Sequence, residues 1–214
     1  MNNEEIISHI DHTLLKAFST WDDIVKLCDE AVKYKTASVC VPPYYVKRIR
    51  ENYPDLDICT VVGFPLGYET TTGKVADTKQ CIDDGADEID MVINICEVKN
   101  GNFDYVENEI RALKEACKGK ILKVIVETCY LTEDEKKRVC KCVTNAKADY
   151  IKTSTGFGTQ GATIEDIKLF AKEIGPDVKI KAAGGIRTRA QAEEYIENGC
   201  DRVGASSVVS DIYG

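Results

Sequence analysis

Along the chain, short apolar runs rich in β-branched residues alternate with longer stretches whose apolar residues recur every three or four positions. The short runs are ASVCV from Ala37, DICTVVGF from Asp57, DEIDMVIN from Asp87, ILKVIVET from Ile121, ADYIKTS from Ala148, VKIKAAGG from Val178 and DRVGASS from Asp201. A weaker first run, HIDHT, starts at His9. Each has the length and composition of a buried strand. Between them, TWDDIVKLCDEAVKY, FDYVENEIRALKEAC, LTEDEKKRVCKCVTNA and TIEDIKLFAKEIG carry helical spacing. Thr20 is placed to cap the first of these, and Thr132 with Glu135 reads as a capping box. Strands alternating with helices, without a break in composition, predict parallel βαβ units. A chain of 214 residues is long enough for a closed (β/α)8 TIM barrel of the α/β class, one domain over residues 1–214. An open doubly wound sheet is the alternative, weakened by the lack of a G-x-G-x-x-G turn after the first strand.

Side-chain parity separates the two. Successive strand residues face opposite sides. In the fifth strand Leu122, Val124 and Val126 share one face, and Lys123, Ile125 and Glu127 the other. In the fourth, Ile89, Met91 and Ile93 oppose Glu88, Asp90 and Val92; in the seventh, Val178, Ile180 and Ala182 oppose Lys179 and Lys181. In the sixth, Lys152 shares its face with Tyr150 and Ala148. An open parallel sheet is covered on both faces and is apolar on both. A barrel instead meets its helices with the apolar face and turns the charged face inward. Two carboxylates and three lysines are then expected in the interior, where charges must be paired or functional.

Composition narrows the partners. A formal charge of −8 disfavours a nucleic-acid partner, though a small anionic ligand needs only local positive charge. The ten cysteines show no C-x-x-C pair, which argues against a zinc ribbon and for reduced, half-buried thiols in a cytoplasmic protein. Cys140 and Cys142, two apart on a predicted helix, are expected on different faces. The N-terminus has no signal-peptide pattern and no stretch reaches membrane-spanning length, so no membrane partner is expected.

The candidate chemistry lies at the C-terminal ends of strands six and seven, where barrel active sites form. A lysine of ordinary pKa, about 10.4, is protonated at neutral pH and cannot attack a carbonyl. Burial and a neighbouring cation favour the free amine. Adjacent strands lie about 5 Å apart, so Lys181 can supply that cation to Lys152. Lys152 then reads as a Schiff-base nucleophile, preferred over Lys181 because hydroxyls and Gly156 follow it. The competing reading has both lysines only paired with Asp90 and Glu127. Asp90 is a candidate for proton transfer at a substrate hydroxyl, or a countercharge. After strands seven and eight, Gly184, Gly185, Gly204, Ser206 and Ser207 are candidate phosphate contacts. His9 and His12 lack metal-ligand spacing and are expected to hydrogen-bond at the barrel mouth.

The pieces IDHTLLK, SVCV, TVVGFPLG, GADEIDMVIN, LKVIVET, YIKTSTGFG, KAAGGIR and GASS, taken together, resemble the deoxyribose-phosphate aldolase family over nearly the whole chain. The resemblance implies a (β/α)8 barrel and a class I aldolase without metal or other cofactor. It implies reversible cleavage of 2-deoxy-D-ribose 5-phosphate to acetaldehyde and D-glyceraldehyde 3-phosphate, in deoxyribose catabolism. The family's Schiff-base lysine falls on Lys152, its second lysine on Lys181 and its proton-transfer aspartate on Asp90. Its phosphate contacts fall on Gly184, Gly185, Ser206 and Ser207. Pro42 stands where asparagine is common, and Ala17 where proline is common. The family's C-terminal tyrosine role is not carried over to Tyr213. Partners are then a sugar phosphate and aldehydes; a homo-oligomer, dimer or tetramer, stays open. Two other readings stand beside this one: another Schiff-base sugar-phosphate or transaldolase-like enzyme, and a catalytically idle sugar-phosphate binder.

Overall fold

The eight apolar runs become eight short parallel strands. In the computed structural model, which describes residues 1–214, they are β1 Ile10–Thr13, β2 Ser38–Val41, β3 Ile58–Val62, β4 Glu88–Val92, β5 Ile121–Ile125, β6 Tyr150–Lys152, β7 Lys179–Ala183 and β8 Arg202–Ala205. They pair in sequence order, and β8 returns to β1, which closes a (β/α)8 barrel. The open-sheet alternative is thereby excluded.

The ring outside is built from α1 Asn3–Ile7, α2 Trp21–Tyr34, α3 Val46–Asn52, α4 Thr71–Asp83, α5 Ile95–Lys99, α6 Phe103–Ala116, α7 Glu133–Asn145, α8 Ile164–Glu173, α9 Arg189–Glu197 and α10 Val208–Tyr213. Thr20 and Thr132 each accept from the N3 backbone of their helix, with Asp23 and Glu135 closing the two capping boxes. α4 escaped a periodicity reading for a physical reason: its buried positions include Lys74 and Thr78, so its inner face is not apolar.

Parity holds. Ile89, Met91, Leu122, Val124, Ile151, Ile180 and Ala182 join one large cluster between barrel and helices. Cys40, Cys59 and Val61 form a small separate cluster. Cys59 points inward, with its thiol against Asp90. The cysteines are free, and eight are buried rather than half-buried, with Cys96 exposed and Cys129 partly so. Cys140 and Cys142 both reach apolar surroundings, because α7 packs between α6 and α8; Cys142 approaches the carbonyl of Phe103 on α6. No helix is long and apolar enough to cross a membrane.

Candidate active site

The inward face of the barrel carries a buried network of opposite charges. Asp90 lies in β4 opposite Lys123 of β5, and Lys152 of β6 lies opposite Lys181 of β7. Lys152 Nζ and Lys181 Nζ each donate to Asp90 Oδ2 at 2.7 Å, and Lys123 Nζ donates to Asp90 Oδ1 at 3.1 Å. Asp90, Lys123 and Lys181 are sealed at 0% exposure, whereas Lys152 retains 3% and stands at the end of its strand. Among these lysines it is therefore the only one with any solvent-accessible surface.

The interior holds more charge than two carboxylates and three lysines. Asp11 of β1 contacts Lys181 at 2.5 Å through Oδ2 and Arg202 of β8 at 2.5 Å through Oδ1. Glu88 takes Lys123 and Arg202 below. Asp11 sits in a four-residue strand beside a histidine, and parity alone did not assign its direction. Arg202 begins the last strand, where a surface position is the ordinary reading. Glu127 is not a partner of these lysines; its carboxylate is taken by Thr155. Of the competing reading, the pairing of both lysines with Asp90 is observed and the pairing with Glu127 is not.

Charge states follow from the contacts. Burial works against ionisation of Asp90, but Lys123, Lys152 and Lys181 outweigh it and hold the carboxyl well below its usual range. Burial likewise opposes the Lys181 charge, but Asp11 and Asp90 prevail and keep the ammonium protonated above its ordinary value. Lys181 is thus a lasting cation beside Lys152. Cys40 Sγ, Cys59 Sγ and an Asp90 oxygen lie within 4.8 Å of one another, a spacing an ion could bridge. The lysines already occupy Asp90 and oppose a cation there.

Above the network, the β6–α8 loop brings Phe157 edge-on to Phe64 of the β3–α4 loop, with ring centroids 5.3 Å apart. Gly184 and Gly185 follow β7 with φ of 89° and 80°, where L side chains are strained. Ser207 Oγ donates to the Arg187 carbonyl at 3.0 Å and ties the β7 and β8 loops together. Ser206 and Ser207 line a cleft of about 440 Å³ with Lys16, Lys26 and Ser210. Gly204 is elsewhere. It lies within β8 between Ala183 and Asp11, where a Cβ would sit 3.2 Å from Lys181 Cε. Its absence of a side chain makes room for Lys181.

The pattern shared by DeoC/LacD family aldolases matches residues 6–209 of this sequence. The chain belongs to that family. As an aldolase it is a carbon–carbon lyase. The deoxyribose-phosphate aldolase of Clostridium botulinum strain Alaska E43 is 64% identical over 215 residues, which span 100% of this chain and 97% of the relative. That of Clostridioides difficile strain 630 is 54% identical, over 96% of this chain and 94% of its own. The deoxyribose phosphate aldolase of Aeropyrum pernix, described as having a unique tetrameric structure, superposes with a TM-score of 0.91 at 28% identity, over 99% of this chain and 92% of that one.

The remaining expected residues of this aldolase fall off the charge network. His9 bonds the Asp201 carbonyl and His12 bonds Glu30 on α2, each at 2.8 Å. Both hydrogen-bond as expected; His9 precedes β1, away from the mouth, whereas His12 lies near the C-terminal end of β1 and lines the cleft with Ser206 and Ser207. Pro42 opens a 3-10 turn over Pro43–Tyr45 and brings no polar group. Ala17 lies in the turn after β1. Tyr213 stacks on Tyr34 of α2 at 4.2 Å, outside the barrel.

Proposed function

We propose that this aldolase cleaves 2-deoxy-D-ribose 5-phosphate reversibly to acetaldehyde and D-glyceraldehyde 3-phosphate through an imine on Lys152. The observation that carries the reading is the pair of lysine amines 2.7 Å from one oxygen of Asp90, only one of which, Lys152, reaches any solvent. Relatives that bear the deoxyribose-phosphate aldolase name over their full length support the substrate. Residues 1–214 act as a single aldolase domain, without a metal or other cofactor, in a cytoplasmic catabolic role.

The free amine of Lys152 attacks C1 of the open-chain sugar, and loss of water gives an iminium. The proton of the C3 hydroxyl leaves, C3–O becomes a carbonyl, and the C2–C3 bond breaks. Its electron pair moves into the C1–C2 bond and neutralises the iminium nitrogen as an enamine. Protonation at C2 and hydrolysis then release acetaldehyde and restore the amine. Asp90 and Lys181, with a water, move the proton at C3 and C2. A fully paired Asp90 is a weak base by itself, so its charge serves the iminium as much as the proton. Gly184, Gly185, Ser206 and Ser207 hold the phosphate remote from the breaking bond, with Lys16 as a nearby cation. Binding energy there is available to the reaction at C1.

Borohydride reduction in the presence of deoxyribose 5-phosphate, followed by peptide mass mapping, tests the reading. The adduct is expected on the peptide that contains Lys152. Lys152→Leu should abolish both adduct and cleavage, several factors of ten in rate at about 1.4 kcal/mol each. An adduct on another lysine, or near-native turnover in the folded variant, would overturn it.

A further inference from the structure

Glu127 lies at the mouth of the barrel and takes no part in the lysine network. It is one of four non-glycine residues with positive φ, at φ 53° and ψ 68°. The ladder shows why. Val126 N–H donates to the Lys152 carbonyl and Thr128 N–H to the Thr153 carbonyl, both at 3.0 Å. In a regular parallel ladder those two donors would reach carbonyls two residues apart. Here they reach adjacent ones, so β5 carries one extra residue opposite the Lys152–Thr153 peptide. That residue is Glu127, and the arrangement is a bulge, a device that re-aims side chains beside active sites.

The side chain completes the device. Its carboxylate, 1% exposed, accepts the Thr155 N–H at 3.2 and 3.3 Å and the Thr155 hydroxyl as well. The Thr155 hydroxyl in turn accepts the Phe157 N–H at 3.0 Å. One carboxylate therefore organises the whole run from Lys152 to Phe157. Glycine would satisfy the bulge without strain. The chain places an acidic, buried side chain there instead, and strain of this kind persists where the surroundings demand a particular group.

We infer that Glu127 is a positioning residue for imine chemistry: its bulge and its clasp on Thr155 fix the backbone that aims the Lys152 amine at the carbonyl carbon. The inference rests on Lys152 as the imine-forming residue. It predicts a loss in the chemical step with little loss in substrate binding, because the phosphate-end loops are on β7 and β8. A residue needed only for folding would change stability and leave the rate per folded molecule alone.

The test uses Glu127→Gly, which keeps the left-handed backbone and removes the carboxylate, Thr155→Val, and the double variant. Rapid-quench borohydride trapping with acetaldehyde measures adduct formation at Lys152 in protein shown to be folded by circular dichroism. Each single variant is expected to form adduct about tenfold more slowly, with kcat on deoxyribose 5-phosphate lowered likewise and KM within about threefold of the unaltered protein. The double variant is expected within about threefold of the slower single, because both changes remove one interaction. Adduct formation at the unaltered rate in either single variant, a loss confined to KM, or multiplied losses in the double variant would overturn the inference. Should Glu127→Gly fail to fold, Thr155→Val decides by the same rate and KM criteria. If the unaltered protein forms no adduct at Lys152, the imine reading falls and takes this inference with it; a normal adduct with unaffected variants removes this inference alone.

Discussion

Lys181 is ion-paired with two carboxylates, Asp11 and Asp90, and that sets what its removal does. Asp11 and Asp90 hold it as a permanent cation against the cost of burial. While it is there, the charge of Asp90 is divided among Lys123, Lys152 and Lys181. With Lys181→Leu, the charge of Asp90 would fall on Lys123 and Lys152 alone, and the imine-forming residue would lose its neighbouring cation. Activity is expected to fall at neutral pH and to recover partly in alkali. A rate–pH profile checks this, and a profile superposable on that of the unaltered protein would leave Lys181 a packing role only.

At the scale of elements, a second buried ion pair joins three of them. Lys74 of α4 donates to the Gly67 carbonyl at 2.6 Å, the Val92 carbonyl at 2.8 Å and Glu109 Oε1 of α6 at 3.0 Å. The other oxygen of Glu109 accepts the Asn94 N–H at 3.0 Å. The β3–α4 loop, the end of β4 and α6 thus share one fastening. Burial pushes the Lys74 amine down and the Glu109 carboxyl up, which shows how far each depends on the other. Lys74→Met leaves Glu109 buried without its partner and is expected to cost about 3–5 kcal/mol. Lys74→Met with Glu109→Met should recover much of that loss. Urea unfolding midpoints of the two variants distinguish the outcomes, and a single variant as stable as the unaltered protein would refute the fastening.

For the molecule as a whole, the interior network sets a pH window of stability. Asp11 and Asp90 both have folded values below the unfolded value of about 3.9. Their contribution is present above that value and is lost as pH falls through the folded values. Lys181 is raised, so its contribution is present below about 10.4 and is lost as pH rises through its folded value. Glu109 and Glu127 are raised by burial and act in the opposite sense, weakening the fold above about 4.3. Urea midpoints are therefore expected to fall steeply below about pH 4, and Asp11→Asn should flatten that fall. A midpoint unchanged between pH 3 and pH 7 would contradict this account.

Much of this was legible in the sequence because strand parity and strand order are local. Lys152, Lys181 and Asp90 each stand on the charged face of a strand whose other face is apolar, and a period of two put them on one side. The barrel follows from eight such strands with one charged side. What joins Asp90 to both amines is the closing of the sheet, and no local pattern states which charges meet. Asp11 and Arg202 were missed because they lie at the first and last strands, which become neighbours only when β8 pairs with β1. Gly204 read as a loop donor until its strand placed it beside Lys181. Glu127 had the parity of an inward strand residue, but one extra residue opposite Lys152 turned it into a bulge. The chain by itself determined which residue types the interior would hold. Only the tertiary structure decided their partners, because closure and a single bulge bring together groups that are far apart along the backbone.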